Sequence, residues 1–159
     1  MTEPKKLSLI LMSGDFDKSI AAFTLASGAA AVGYQVHIFF TFWGLNNIKN
    51  KKGRNFIGKG FLARFFNFLL GGSQKLPLSR LNFGGISPHL MTGLMKSRHV
   101  ATRNELFDAC VQLGVNLYAC EMALTVLGLT KDDLIPEIKG VLGVAKFLEL
   151  SHNGQTLFI

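Results

Sequence analysis

Acidic side chains are missing from the whole middle of this chain. Of ten Asp and Glu in 159 residues, none lies between Lys18 and Asn104, whereas Lys49, Lys51, Lys52, Arg54, Lys59, Arg64, Lys75, Arg80, Lys96, Arg98 and Arg103 all do. Such a segment forms a cationic surface, suited to steering an acidic partner protein or a small anion. Cysteine is nearly as scarce. Cys110 and Cys120 stand ten residues apart with no CxxC and no Cys/His ligand spacing, which argues against a disulfide framework and against a structural zinc site. A reducing cytoplasm fits that usage. The four histidines, His37, His89, His99 and His152, include no pair at ligand spacing, so no bound metal is expected. Long apolar runs are also lacking. The basic start gives way to a short apolar run closed by Gly14 and Asp15, too brief for a secretory signal or a spanning helix, and the mature chain is expected to begin near Met1.

Two nucleotide motifs are absent as well. "GAAAVG" lacks the GxGxxG spacing and closes a helix instead of opening one, and "GKG" has no P-loop frame around it. What is present is apolar mass: 48% of the residues are hydrophobic and the mean hydropathy is +0.31. A chain of this size can bury one substantial core, so a single domain over 1–159 is expected. The apolar excess, with no spanning segment to absorb it, points to self-association.

The order of elements is legible from periodicity. "KLSLILM" is a continuous apolar run, the pattern of a strand buried on both faces. Asp15 or Asp17 then caps an Ala-rich helix, "KSIAAFTLASGAAAVG", which closes at Gly33. "YQVHIFFT" is a second strand, so a β-α-β unit with a right-handed crossover is implied. From about 42 to 100 the alternation is interrupted by a basic and aromatic insertion carrying one or two helices. In it Phe61, Phe65 and Phe68, broadened by Leu62, Phe66 and Leu69, share a helical face expected to be buried or interfacial. "TRNELFDACVQLG" is a helix and "VNLYA" the third strand; a short helix to Leu127, a strand over 138–142, a last helix and "QTLFI" follow. The expected fold is α/β: an open, doubly wound, mostly parallel sheet of about five strands with helices on both faces. Ligands of such sheets sit beyond the carboxyl ends of the strands.

That rule selects the candidate site. Cys120 ends the third strand and directly precedes a helix, whose free N–H groups favour negative charge on the sulfur, with Glu121 and burial opposing. The alternative is a small core residue ending a strand. Gly14 and Asp15 follow the first strand; Asp15 either serves a ligand or is a helix cap or turn carboxylate. Trp43 and Gly44 follow the second, as a wall of the site or as an aromatic plug between sheet and insertion. Cys110 lies on the apolar stripe of a helix and is expected to be inert. The basic and aromatic insertion has the elements of an RNA-binding surface, but its phenylalanines keep helical spacing, and nucleic acid is not the expected partner.

Several stretches resemble a known family. "SGDFDKSIAAFTLASGAAAVG", "FTFWGL", "LSRLNFGG", "GLMK" and "LGVNLYACEMALTVLGL" are similar to the corresponding parts of DsrE/DsrF-like sulfur-relay proteins, in particular the single-chain DsrE branch. The likeness covers nearly the whole chain and is loosest from about Asn46 to Pro77. Its most specific part is the alanine-cysteine at the third strand's end, followed after one residue by Met122. The resemblance implies a sulfurtransferase that needs no cofactor: Cys120 accepts sulfane sulfur from a donor protein as a persulfide and passes it to an acceptor protein thiol. It also implies a homo-oligomer, a trimer or hexamer. Some members have a second functional cysteine, a role for which Cys110 is the only candidate here and for which its helical position does not suit it. A different class of function remains open: a noncatalytic scaffold that contacts a protein partner or a membrane surface through the insertion.

Overall fold

A computed structural model of the chain describes residues 4–50, 58–73, 76–80 and 86–159, without the side chains of Phe66, Leu69 and Leu70. Lys51, Lys52, Arg54 and Lys75 of the cationic segment lie outside the described residues, as does 81–85 of "LSRLNFGG". The chain runs β1 (Lys6–Leu11), α1 (Phe16–Ala31), β2 (Gln35–Phe40), a 3-10 turn (Phe42–Ile48), α2 (Phe61–Leu70), α3 (Ser87–Ser97), α4 (Arg103–Gln112), β3 (Asn116–Cys120), α5 (Glu121–Leu127), β4 (Gly140–Leu142), α6 (Val144–Ser151) and β5 (Gln155–Phe158). Among the described residues the insertion therefore carries two α-helices, α2 and α3.

The strands form one sheet in the order β4-β3-β2-β1-β5, and every neighbouring pair is parallel. Three crossovers step from β1 to β4 in one direction, and the last returns to the opposite edge. With right-handed connections, this reversal puts α6 on the face opposite α1 and α4. Aromatic contacts mark the two layers. Phe23 of α1 meets Phe107 of α4 edge to face at 5.2 Å, and Phe147 of α6 stacks on Phe39 of β2 at 4.5 Å. Register then assigns the strand residues. Ser8, Ile10, His37, Phe39, Tyr118 and Cys120 share the α6 face, and Leu7, Leu9, Leu11, Val36, Ile38, Phe40, Leu117 and Ala119 the other. The apolar strand residues form one core with Phe23 and with Ala22 and Ala26, the small residues that let α1 lie close on the sheet. Gly33, at φ +85, follows the last turn of α1 in the left-handed conformation anticipated for a helix stop.

Asp15 occupies the N-cap position of α1 but its carboxylate makes no cap bond, so the expected capping role is corrected. It instead accepts from Ser13 Oγ at 2.8 Å and pairs with Lys18 at 3.4 Å. Asp17 does not cap either; it accepts from the N–H and hydroxyl of Ser79, tying the 76–80 segment to the start of α1.

The connection after β2 is tight for a stated reason. The Gly44 N–H donates to Met12 O at 2.7 Å, and a Cβ at Gly44 would lie 1.9 Å from Leu11 O. Three residues on, the buried Asn47 amide donates to Gly44 O at 3.1 Å and Ser13 O at 3.4 Å. Its oxygen accepts from Ser19 at 2.6 Å and Arg103 at 3.0 Å. One side chain thus joins the ends of β1 and β2 to α1 and α4. Gly44→Ala and Asn47→Leu should each lower unfolding free energy by about 3 kcal/mol or more, the first by backbone clash and the second by stranding buried donors. Urea unfolding at neutral pH measures both.

Candidate functional site

Because all five strands are parallel, their carboxyl ends share one rim, and each residue selected from the sequence stands on it. Gly14 and Asp15 follow β1, Trp43 and Gly44 follow β2, and Cys120, Glu121 and Met122 straddle the β3–α5 junction. They form two groups. A Cβ at Gly14 would lie 2.8 Å from Trp43 O, so the segments after β1 and β2 touch. On the other side, Cys120 pairs in register with Leu142, and Glu121 Oε2 lies 3.7 Å from where a Gly143 Cβ would stand. Among the described residues no hydrogen bond joins Cys120 to Asp15 or Trp43. Trp43 is part exposed and packs edge to face with Phe42 at 6.3 Å.

Cys120 itself is 1% exposed. Of the two influences expected at the thiol, burial is therefore present in full. The chain turns into α5 immediately after Cys120, at Glu121, and β3 lies between β2 and β4. The sulfur therefore projects onto the α6 face of the sheet, among core residues, instead of past the rim. Met122, one residue into α5, is exposed, as is Glu121. Cys110 is fully buried, its sulfur facing Phe23 O at 3.4 Å, and burial pushes its thiol up to about 12. That is the inert state expected of it.

The same α6 face carries polar groups that periodicity did not single out. Thr156, Ser8, His37 and Asn116 form one row across β5, β1, β2 and β3. Ser8 Oγ and both ring nitrogens of His37 are buried without a partner among the described residues. Burial first, then the charges of Lys139 and Lys6, hold His37 below its ordinary value, in favour of the neutral ring. Its ring lies stacked near Tyr118 at 6.0 Å.

Polar groups dock the insertion on the rest of the domain. Phe61 is 86% exposed, and Leu62 and Phe65 are exposed too, which removes the buried reading for these three and leaves the interfacial one. Asn67, buried on α2, donates to Leu127 O at 2.8 Å and accepts from Lys49 Nζ at 2.7 Å. Lys49 is 1% exposed, and its other partner is Gly71 O at 3.5 Å. Burial lowers its pKa to about 8, against a weaker opposing pull from Asp133. No sequence signal separates this lysine from the other basic residues of the segment, since its partners come from α2 and the glycine that follows it.

Comparison with known proteins now bears on the site. A profile of the DsrE/DsrF/DrsH-like family matches residues 3–158. The chain is 39% identical over its full length and that of "Uncharacterized protein YrkE" of Bacillus subtilis (strain 168). It is 32% identical, over 96% of each chain, to "Sulfur carrier protein DsrE2" of Allochromatium vinosum. A solved protein of unknown function from Methanobacterium thermoautotrophicum, MTH1491, shares the fold at a TM-score of 0.52 and 13% identity, over 98% of this chain and 99% of that one.

Lys49 provides a pH signature for the insertion's docking. Its folded-state pKa is below the unfolded value of 10.5, so between about pH 8 and 10.5 the unfolded chain holds the extra proton. The burial penalty is therefore complete below pH 8 and is relieved as pH rises through that window. Between pH 7.5 and 9.5 the wild type should gain about 2 kcal/mol relative to Lys49→Met in urea unfolding. An unchanged difference would mean that the amine is solvated.

Proposed function

The chain belongs to the DsrE/DsrF/DrsH-like family, and on that premise we propose that it is a sulfur carrier whose Cys120 takes up sulfane sulfur as a persulfide and passes it to an acceptor protein thiol. The observation that carries the reading is the match, over 96% of each chain, to a protein named a sulfur carrier. The place of Cys120 at the carboxyl end of β3 supports it, because ligand chemistry in open parallel sheets gathers there.

The transfer balances without an oxidant. The Cys120 thiolate attacks the outer sulfur of a donor persulfide, a new S–S bond forms, and the donor's S–S bond breaks with its sulfur leaving as thiolate. In the return step an acceptor thiolate attacks the outer sulfur and Cys120 leaves. Glu121 and Met122 follow the reacting residue in the first turn of α5. Gly14, Asp15, Trp43 and Gly44 form the neighbouring part of the rim. The cationic surface steers an acidic donor or acceptor protein toward it. The carrier works in the cytoplasm as a homo-oligomer, a trimer or hexamer, whose contacts cover exposed apolar side chains such as Phe61, Leu90 and Phe158.

Burial of Cys120 adds a requirement: the cover over the sulfur opens, or a docked partner displaces it, before each transfer. Incubation with a small sulfane donor followed by mass spectrometry of the intact protein should show one added sulfur per chain. It should be lost in Cys120→Ser and kept in Cys110→Ser. Native alkylation should modify Cys120 at a rate limited by local opening and leave Cys110 intact. A Cys120 that reacts no faster than global unfolding would remove the relay.

A second reading is favoured by the exposed Phe61, Leu62 and Phe65 on α2. In it the chain is a noncatalytic scaffold that contacts a protein or membrane surface through that helix. Among the described residues no helix is long and apolar enough to cross a membrane, so such contact would be peripheral. Flotation with anionic liposomes that survives Cys120→Ser and fails when Phe61 and Phe65 are both changed to Ser would establish it.

A further inference from the structure

Arg103 opens α4 on the carboxyl rim, and the persulfide chemistry makes no use of it. The residue is only 7% exposed. Its guanidinium donates to Asn47 O at 3.2 Å, Asn47 Oδ1 at 3.0 Å and Asn104 Oδ1 at 3.0 Å, and Nε is buried without any partner among the described residues. Every acceptor is neutral. The ion pairs among the described residues are Lys18 with Asp15 and Lys146 with Glu149, so none involves Arg103. The rings of Phe23 and Phe107 lie 5.3 and 6.0 Å from the guanidinium carbon. Burial pulls its pKa down to about 10, with Asp108 acting in the opposite direction. A guanidinium so far removed from water, and without a counter-charge in contact, is a costly arrangement unless an anion completes it.

An opening for one is present. A cleft of about 250 Å³ is walled by Arg103, Asn104, Asn47 and Ser73 on its polar side and by Phe107 and Ile135 on its apolar side. The first two amides of α4, those of Arg103 and Asn104, donate no hydrogen bond among the described residues. The third, of Glu105, donates to Thr102 Oγ1 at 3.4 Å. Two carboxylates stand nearby. Glu105 is held in the capping box, accepting from the Thr102 N–H and hydroxyl at 2.7 Å each. Asp108, one turn further along α4, also lines the cleft and opposes a second negative charge there.

We propose that this cleft binds a small oxyanion, inorganic or carboxylate, held by the Arg103 guanidinium, the Asn104 side chain and the leading amides of α4. Charge-assisted hydrogen bonds from a part-desolvated guanidinium are the strong kind, and the helix end adds favourable potential. Asp108 tunes the site toward ligands of low charge. The assignment is independent of Cys120: it stands on α4 and the turn after β2, and survives whatever the thiol does.

The test is isothermal titration of the full chain with sodium acetate, sulfate and phosphate separately, at constant ionic strength maintained with chloride. Saturable binding of at least one anion, one per chain, is expected, and the ranking of the three separates carboxylate from inorganic ligands. Asn104→Asp should weaken it by at least about tenfold, because a unit charge some 5 Å away costs more than one decade even at an effective dielectric of about 20. Asp108→Asn should tighten it, and Cys120→Ser should leave it unchanged. Arg103→Met would also break the contacts to Asn47, so the neighbouring variants carry the test, with circular dichroism checking that each is folded. No saturable binding of any of the three anions overturns the proposal. So does binding of equal strength in Asn104→Asp, which would place the anion on the surface lysines instead.

Discussion

The side-chain amide of Asn47 is buried where α1, α4 and the turn after β2 converge, and both its oxygen and its nitrogen are bonded to other segments. Water cannot replace those partners, so the network holds as a unit. Through Gly44 it shapes the turn that presents Trp43. Through Ser13 and Ser19 it draws the end of β1 and the first turn of α1 to the same point. Through Arg103 it sets where α4 begins, and with it the approach of α4 to α1. The rim of the sheet is thus organised by hydrogen bonds at a point where the apolar core runs out.

A second polar node acts on the helix that begins at Cys120. At its far end, α5 finishes at Gly128 in the left-handed conformation. Its terminal carbonyls are taken by groups from the insertion, Leu127 O by Asn67 and Gly128 O by the Lys59 N–H at 2.8 Å. These satisfy acceptors that a helix end leaves open. The insertion therefore grips the helix that starts at the thiol. A movement of α5 that uncovers Cys120 must break the Asn67–Leu127 contact or carry α2 with it. Lys49, buried beside this contact with no carboxylate partner among the described residues, makes the docking weaker than an apolar interface of equal area.

Periodicity was a reliable guide to the sheet. The three central strands were legible because parallel strands buried on both faces are continuous apolar runs, whereas the edge strands β4 and β5 are not buried and were placed by the alternation of elements. Gly33 closed its helix as read. Less legible was the polar interior. Asn47, Lys49, Asn67 and Arg103 look like ordinary surface residues in a basic segment, and each is buried only because a distant element covers it. The apolar arc of α2 reads as buried or interfacial, and the exposure of Phe61, Leu62 and Phe65 leaves the interfacial reading for those three.

By itself the sequence determined the element order, the mostly parallel character of the sheet, and the position of a cysteine at a strand's end, because these follow from local spacing of apolar, small and turn-forming residues. Only the tertiary structure decided how the strands are ordered across the sheet, which face receives the Cys120 sulfur, and that α6 shares that face. Those facts depend on contacts between segments far apart in the chain. A reversed final crossover moves a helix from one face to the other while leaving every local pattern unchanged.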